Sequence, residues 1–115
     1  MESSTYKKVK SVACYYGYDQ AIVAIEELSE LQKELCKMVR GLGDHAHLSE
    51  EMADVYVMLE QLKIIYEVDP EEIEKQMNEK LDRQLFRIWA EESSDEVSEM
   101  FCKEQESKKD KVGFK

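Results

Sequence analysis

Apolar residues recur every three or four positions along most of the chain, which is the spacing of helices that bury one face. The first helix is predicted after a Ser/Thr cap near Ser4 or Thr5, and Gly17 interrupts it. A second helix is predicted from about Asp19 to Val39, ended by RGLGD, whose glycines accept the left-handed conformation. The predicted apolar stripe of the first helix consists of Tyr6, Val9, Val12, Ala13 and Tyr16.

Two further helices follow. We expect the third after Ser49, a plausible N-cap with acids in the first turn, and its end near Glu67. The fourth has the clearest start signal, VDPEE, with Asp69 as cap and Pro70 at the first helical position, and it should run to about Ala90. A short helix over 95–105, held by Val97 and Phe101, is a weaker prediction.

The composition supports an all-α protein. The 115 residues suit one compact domain, and a single proline and four glycines are set among many strong helix formers. We therefore expect one helical domain over residues 1–91. The remainder, 92–115, is acidic and then lysine-rich, with few apolar residues, and is expected to be a weakly helical or flexible extension.

The charge balance argues against polyanionic surfaces as partners. The formal net charge is −10, from 26 acidic and 16 basic residues, so nucleic-acid polymers and anionic membranes should be repelled. No apolar run approaches the length of about 20 residues that spans a bilayer, and MESSTYKKVK lacks the apolar core of a signal peptide. We expect a cytoplasmic protein.

The cysteines and histidines give no zinc pattern. Cys14, Cys36 and Cys102 are odd in number and far apart, so they are expected to be reduced thiols. His45 and His47 fall in GLGDHAHLS. A polar connection is favoured there over a metal-binding pair, because no cysteine accompanies them.

Acidic residues occupy the same helical faces as apolar ones. At about 100° per residue, Glu27, Glu30 and Glu34 share the face of Val23, Leu31 and Met38, which should be buried. On the third helix, Glu51 and Asp54 continue the stripe of Met58, Leu62 and Ile65. If the two stripes pack together, the carboxylates converge and must be neutralised, and Mg²⁺ or Mn²⁺ suits an oxygen-only donor set.

These motifs resemble the MazG-like nucleoside triphosphate pyrophosphatases, whose signature is EExxE, a spacer, and ExxD. Here EELSE starts at Glu26 and EMAD starts at Glu51, within YGYDQAIVAIEELSELQKEL and EEMADVYVMLEQL. The resemblance spans roughly residues 16–87. It implies a four-helix bundle completed by homodimerisation and Mg²⁺-dependent cleavage of a nucleoside triphosphate to monophosphate and pyrophosphate. The implied metal ligands are Glu27, Glu30, Glu51 and Asp54.

Other roles are assigned from position. Glu34 or Glu26 would orient or deprotonate the attacking water, with Glu34 preferred because it lies on the ligand face and Glu26 suits a surface salt bridge equally well. Phosphate-binding candidates lie on KQMNEKLDRQLFR, with Lys80 and Arg83 preferred; the alternative is a solvated basic face paired with Asp82 and Glu79. The full phosphate-binding set is Lys75, Asn78, Lys80, Arg83 and Arg87.

The nucleobase leaves a weaker signal. Tyr16 and Tyr18, near the turn before the second helix, are candidates to stack on or hydrogen-bond the base, although core packing is the commoner use of such tyrosines. The nucleotide itself, dUTP, dCTP or another, is left open. Extra apolar positions at Leu28, Val57 and Ile64 suggest more apolar surface than one chain covers, and hence at least a homodimer.

Two other classes compete. A di-iron carboxylate bundle needs Glu-x-x-His motifs, and here the third position after Glu27 and Glu51 is again acidic. A non-catalytic helical assembly module, or a relative that binds nucleotide without hydrolysing it, remains the alternative. Such a module typically keeps acids outside its apolar faces, whereas here the two are mixed.

Overall fold

The computed structural model describes residues 3–92, and the secondary structure within this range is entirely helical. The all-α prediction is therefore confirmed for that part of the chain. The short helix predicted over 95–105 and Cys102 lie outside the described residues. In chain order the elements are α1 (Ser4–Tyr16), a 3-10 turn (Gly17–Asp19), α2 (Gln20–Val39), α3 (His45–Ile65) and α4 (Pro70–Glu92).

The N-cap of α1 is Ser3, one residue before the predicted cap at Ser4 or Thr5. The Ser3 hydroxyl accepts a hydrogen bond from the Tyr6 backbone N–H at 3.0 Å, which satisfies one of the free donors of the first turn. α1 ends at Gly17, which has a φ of 64°. Only Val9 and Ala13 of its predicted stripe are buried, because α1 packs mainly against one neighbour, α3, and a single contact covers a narrow face.

α2 and α3 form a helical hairpin. α2 ends at Val39 as predicted, and Gly41 adopts a φ of 75°. This left-handed conformation lets the Leu42 N–H donate to the Lys37 carbonyl at 2.9 Å, which closes the helix end. The connection to α3 is short, and the two helices pack against each other over their length.

The predicted start of α3 at Ser49 is wrong. The helix begins at His45, with Asp44 as its N-cap, and the Asp44 carboxylate accepts from the His47 backbone N–H at 2.9 Å. Asp44 supplies the capping oxygen one turn earlier than the Ser49-Glu50-Glu51 signal suggested. His45 and His47 therefore belong to the first helical turn, not to a loop. Their two-residue spacing sends them to different sides of the helix.

The core is small, and α3 lies at its centre because it packs against both α1 and α2. A pair of amides is buried within it: Gln20 Nε2 donates to Gln61 Oε1 at 2.8 Å, and Gln61 is only 2% exposed. Gln61 Nε2 in turn contacts Met58 Sδ at 3.7 Å. Within residues 3–92, the buried apolar side chains are Val9, Ala13, Ala24, Val55 and Met58.

The chain divides into two units, Met1–Pro70 and Glu71–Lys115, and α4 belongs to the second from Glu71 onward. It begins at Pro70, as predicted, and continues to Glu92. The fixed φ of proline suits the first helical position, and Glu71 and Glu72 favour the positive end of the helix dipole. Across residues 3–92, no helix combines the length and the apolar character needed to cross a membrane.

Candidate metal centre

Three carboxylates from α2 and α3 meet at the helix interface. One oxygen each from Glu27, Glu51 and Asp54 lies within 4.8 Å of the others. Glu27 and Glu51 are half-buried, and Asp54 is exposed. The acids reach this position because each shares a face with buried residues of its own helix, Ala24 before Glu27 and Val55 and Met58 after Asp54.

The crowding raises the pKa values of two of the three carboxylates. Burial raises the pKa of Glu27, and the hydrogen bond with Asp54 and the negative charges of Asp54, Glu51 and Glu30 raise it further. The pKa of Glu51 is also raised, first by burial and then by its acidic neighbours, which include Asp54, Glu30 and Glu34. Without a bound cation, burial and mutual repulsion therefore make Glu27 and Glu51 harder to ionise than an ordinary glutamate.

Glu30 and Glu34 line the same side of α2 and are each paired with a lysine one turn later. Lys33 Nζ lies 3.3 Å from Glu30 Oε1, and Lys37 Nζ lies 3.7 Å from Glu34 Oε2. Glu34 is buried, with 7% of its surface exposed. The structure therefore brings together three of the four predicted metal ligands directly, with Glu30 and Glu34 close enough to repel them.

The register of the two helices is marked by the Gln20–Gln61 pair. Glu27 lies seven residues after Gln20, and Asp54 lies seven residues before Gln61. Seven residues are about two helical turns, so an antiparallel pair that aligns the glutamines also aligns these two acids. The buried amides and the carboxylate cluster are thus two layers of one interface.

Glu26 does not join the cluster. It is exposed and projects about 100° around α2 from Glu27. Of the two candidate bases, Glu34 is the one on the face of the cluster, and it is the one whose charge reaches Glu51.

The predicted phosphate-binding residues all lie on α4, and each is exposed. Lys80, Arg83 and Arg87 follow one another at three- and four-residue spacing, which aligns them along one side of that helix. Lys75 and Asn78 lie one to two turns earlier on the same helix. Their role stays a prediction, because α4 belongs to the second unit.

The predicted base-binding tyrosines lie at the other end of the α2–α3 pair from the helix connection. Tyr16 packs edge-on against Tyr15, with ring centroids 4.9 Å apart. Tyr18 meets Tyr66, just after α3, with ring centroids 5.4 Å apart. Both Tyr16 and Tyr18 are more than half exposed, so they are not core residues and their rings are open to a ligand.

Two features escaped the sequence analysis. One is the Gln20–Gln61 pair, although Gln20 lies seven residues before Glu27 and thus on the same stripe. The other is a shallow groove on the outer side of α2 with three cations at intervals of four and three residues. Its lining residues are Ser29, Gln32, Lys33, Cys36, Lys37 and Arg40.

Comparison of the chain with protein-family models, with curated proteins and with solved structures finds no match. The functional assignment therefore depends on the motifs and on the geometry of the carboxylate cluster.

Proposed function

We propose that this protein is a Mg²⁺-dependent nucleoside triphosphate pyrophosphohydrolase, which cleaves between the α- and β-phosphates to give a nucleoside monophosphate and pyrophosphate. The observation that carries the proposal is the meeting of Glu27, Glu51 and Asp54 within 4.8 Å across two helices. These are three of the four acids that the resemblance to MazG-like pyrophosphatases assigns to the metal.

The donor set suits a hard divalent cation. The group consists of carboxylate oxygens alone, without histidine or cysteine, and such a set favours Mg²⁺ or Mn²⁺ over zinc. It also lacks the nitrogen ligands of a di-iron centre. A cation would relieve the repulsion that raises the pKa values of Glu27 and Glu51. Glu27, Glu30, Glu51 and Asp54 are the residues that would hold it.

When bound, such an ion polarises phosphoryl oxygens and lowers the pKa of a coordinated water. The chain would supply the base that takes the proton from the attacking water. Glu34 is the better candidate, because it is buried on the cluster face, whereas Glu26 is exposed on another side.

The substrate contacts beyond the metal are proposed from spacing. Lys80 and Arg83, with Arg87, Lys75 and Asn78, would bind phosphate oxygens from one side of α4. Tyr16 and Tyr18 would stack on the base, since both rings are open. In the family, sites are shared between subunits, so these groups need not come from the same copy as the carboxylates.

A homodimer is part of the proposal. Ile25, Leu28, Leu35 and Val39 are exposed on α2 at positions that alternate by three and four residues, with Gln32 filling the gap. This is the spacing of a helix that pairs with another helix. A second copy is the simplest occupant, because a two-fold axis lets the same stripe meet itself.

The exposed stripe also favours the second candidate, a non-catalytic assembly module. That candidate explains the stripe but gives no reason to gather carboxylates at a half-buried interface, where their repulsion opposes folding. A relative that binds nucleotide without hydrolysis would retain the cluster and lose turnover.

The experiment is an assay of pyrophosphate release from canonical and modified nucleoside triphosphates with Mg²⁺, with Mn²⁺ and with chelator. We expect metal-dependent release, and the best substrate identifies the nucleotide. The absence of release from every nucleotide, by a folded protein that these cations do not stabilise, would reject the proposal in favour of the assembly module.

A further inference from the structure

The outer groove of α2 has an unusual charge for this chain. Lys33, Lys37 and Arg40 line it together with Ser29, Cys36 and Gln32, and only Gln32 also belongs to the stripe proposed for the dimer. No carboxylate is among the lining residues. The whole chain, by contrast, carries a net charge of −10. Cations at intervals of four and three residues project from one side of a helix, and hydroxyl and amide groups beside them add hydrogen-bond donors. These are the groups that bind phosphate oxygens.

The groove adjoins the carboxylate cluster through two ion pairs. Lys33 contacts Glu30 at 3.3 Å, and Lys37 contacts Glu34 at 3.7 Å. Both lysine side chains are more than half exposed, so each ammonium group can turn to another partner without leaving a buried site. An anion held by these lysines would therefore lie next to Glu30 and Glu34, on the same helix as Glu27 of the carboxylate cluster.

We propose that this groove binds the polyphosphate chain of the substrate, with Lys33 and Lys37 exchanging Glu30 and Glu34 for phosphate oxygens when divalent cations occupy the carboxylates. The assignment of the polyphosphate to a substrate depends on the proposed function. The exchange keeps the charges compensated in both states. Without substrate the lysines neutralise Glu30 and Glu34, and with substrate the divalent cations neutralise the acids while the lysines neutralise the phosphates. It also explains how so acidic a protein accepts a polyanion.

The exchange predicts opposite effects on two ligands. Removing the lysines leaves Glu30 and Glu34 without their paired cations, so affinity for Mg²⁺ alone should be unchanged or higher. Affinity for polyphosphate should fall, because charge-assisted hydrogen bonds are lost. A purely structural role of the two ion pairs would not separate the ligands in this way.

The test compares Lys33→Gln/Lys37→Gln with a control of equal charge change, Lys8→Gln/Lys63→Gln. Lys63 pairs with Glu60 at 2.8 Å with the same three-residue spacing, nine residues beyond Asp54. Calorimetry would measure the binding of Mg²⁺ alone, of inorganic tripolyphosphate with Mg²⁺, and of a nucleoside triphosphate with Mg²⁺. Circular dichroism would verify that the three proteins have equal helix content.

We expect the groove variant to bind both polyphosphates at least about tenfold more weakly than the control, with Mg²⁺ affinity retained. Equal polyphosphate affinities in the two variants would overturn the inference. If the groove variant loses affinity while the wild type hydrolyses no nucleotide, the anion site is supported and the proposed catalytic function is rejected. Loss of tripolyphosphate binding without loss of nucleotide binding would also overturn it.

Discussion

Gln20 Nε2 donates to Gln61 Oε1 at 2.8 Å inside the α2–α3 interface, and two turns closer to the helix connection Glu27 faces Asp54. Both amides are buried, and no buried side-chain donor or acceptor in residues 3–92 lacks a partner. A polar pair of this kind favours one alignment of two helices, because a shift would leave amide groups buried without hydrogen bonds.

Replacement of one glutamine should therefore lower the free energy of unfolding more than replacement of both. We expect Gln20→Leu or Gln61→Leu to lower the free energy of unfolding by about 1–3 kcal/mol, since the remaining amide loses its buried partner. Urea denaturation of both single variants and the double variant measures this. A double variant that loses the full sum of the single effects would show that the two side chains act independently.

The raised pKa values of Glu27 and Glu51 predict that, in chelator, the carboxylate cluster lowers the free energy of unfolding more at high pH than at low pH. The folded protein holds protons that the unfolded chain releases, so this contribution is favourable below the ordinary glutamate value of 4.5 and is lost as pH rises through the higher folded-state values. Because glutamine does not ionise, Glu27→Gln should lose much less stability than the wild type as pH rises. Its stability relative to the wild type should therefore increase from pH 4.5 to pH 8.

Urea midpoints across that range, in chelator and in Mg²⁺, measure the effect. Saturating Mg²⁺ should reverse the order, since a ligand at a hundred times its Kd adds about 2.7 kcal/mol to the wild type. A stability difference that does not change with pH would contradict the described crowding of Glu27, Glu51 and Asp54.

Asp44 should show the opposite pH dependence. Its pKa is lowered, chiefly by the hydrogen bond from the His47 backbone N–H, and its other carboxylate oxygen lies 2.7 Å from His47 Nδ1. The stabilisation is present above the ordinary value of 3.8 and is lost as pH falls through the lower folded-state value.

We expect Asp44→Ala to lower the melting temperature at pH 7 and Asp44→Asn to lower it less, because asparagine retains a capping oxygen. Melting curves from pH 7 to pH 2.5 measure this. The advantage of the wild type over Asp44→Asn should shrink toward the acidic end, and an advantage that is constant with pH would contradict the capping role of the charge.

Much of the helical architecture follows from local signals. The end of α2 at glycines and the start of α4 at Pro70 are set by the backbone preferences of single residues, and the sequence analysis predicted both. The shared face of Glu27, Glu30 and Glu34 follows from helical geometry alone. Only the packing of α2 on α3 places Glu51 and Asp54 opposite them.

The start of α3 and the Gln20–Gln61 pair could not be predicted, because the first depends on two competing N-caps and the second on a contact between helices. The start of α3 was misplaced because Asp44 and Ser49 are both competent caps, and the choice depends on which hydrogen bond forms. Gln20 and Gln61 look like ordinary surface amides in the sequence. Their pairing across 41 positions appears only when the helices align.

The exposed stripe of α2 predicts a dimer that one charge disrupts. Leu35 is 48% exposed and lies within the stripe, so Leu35→Glu should convert a dimer to the 13.5 kDa monomer with helix content unchanged. Val12→Glu, at an exposed position on α1, is the control. Sedimentation equilibrium distinguishes the two masses, and a dimer that survives Leu35→Glu would exclude this stripe as the interface.

The central claim is that the α2–α3 carboxylates support pyrophosphohydrolysis. The most direct measurement identifies the products that the wild type and Asp54→Asn form from a nucleoside triphosphate, with Mg²⁺ and with chelator. We predict equal amounts of nucleoside monophosphate and pyrophosphate from the wild type with Mg²⁺, and none in the other three conditions. Release of diphosphate and inorganic phosphate, or full turnover by Asp54→Asn, would contradict the claim.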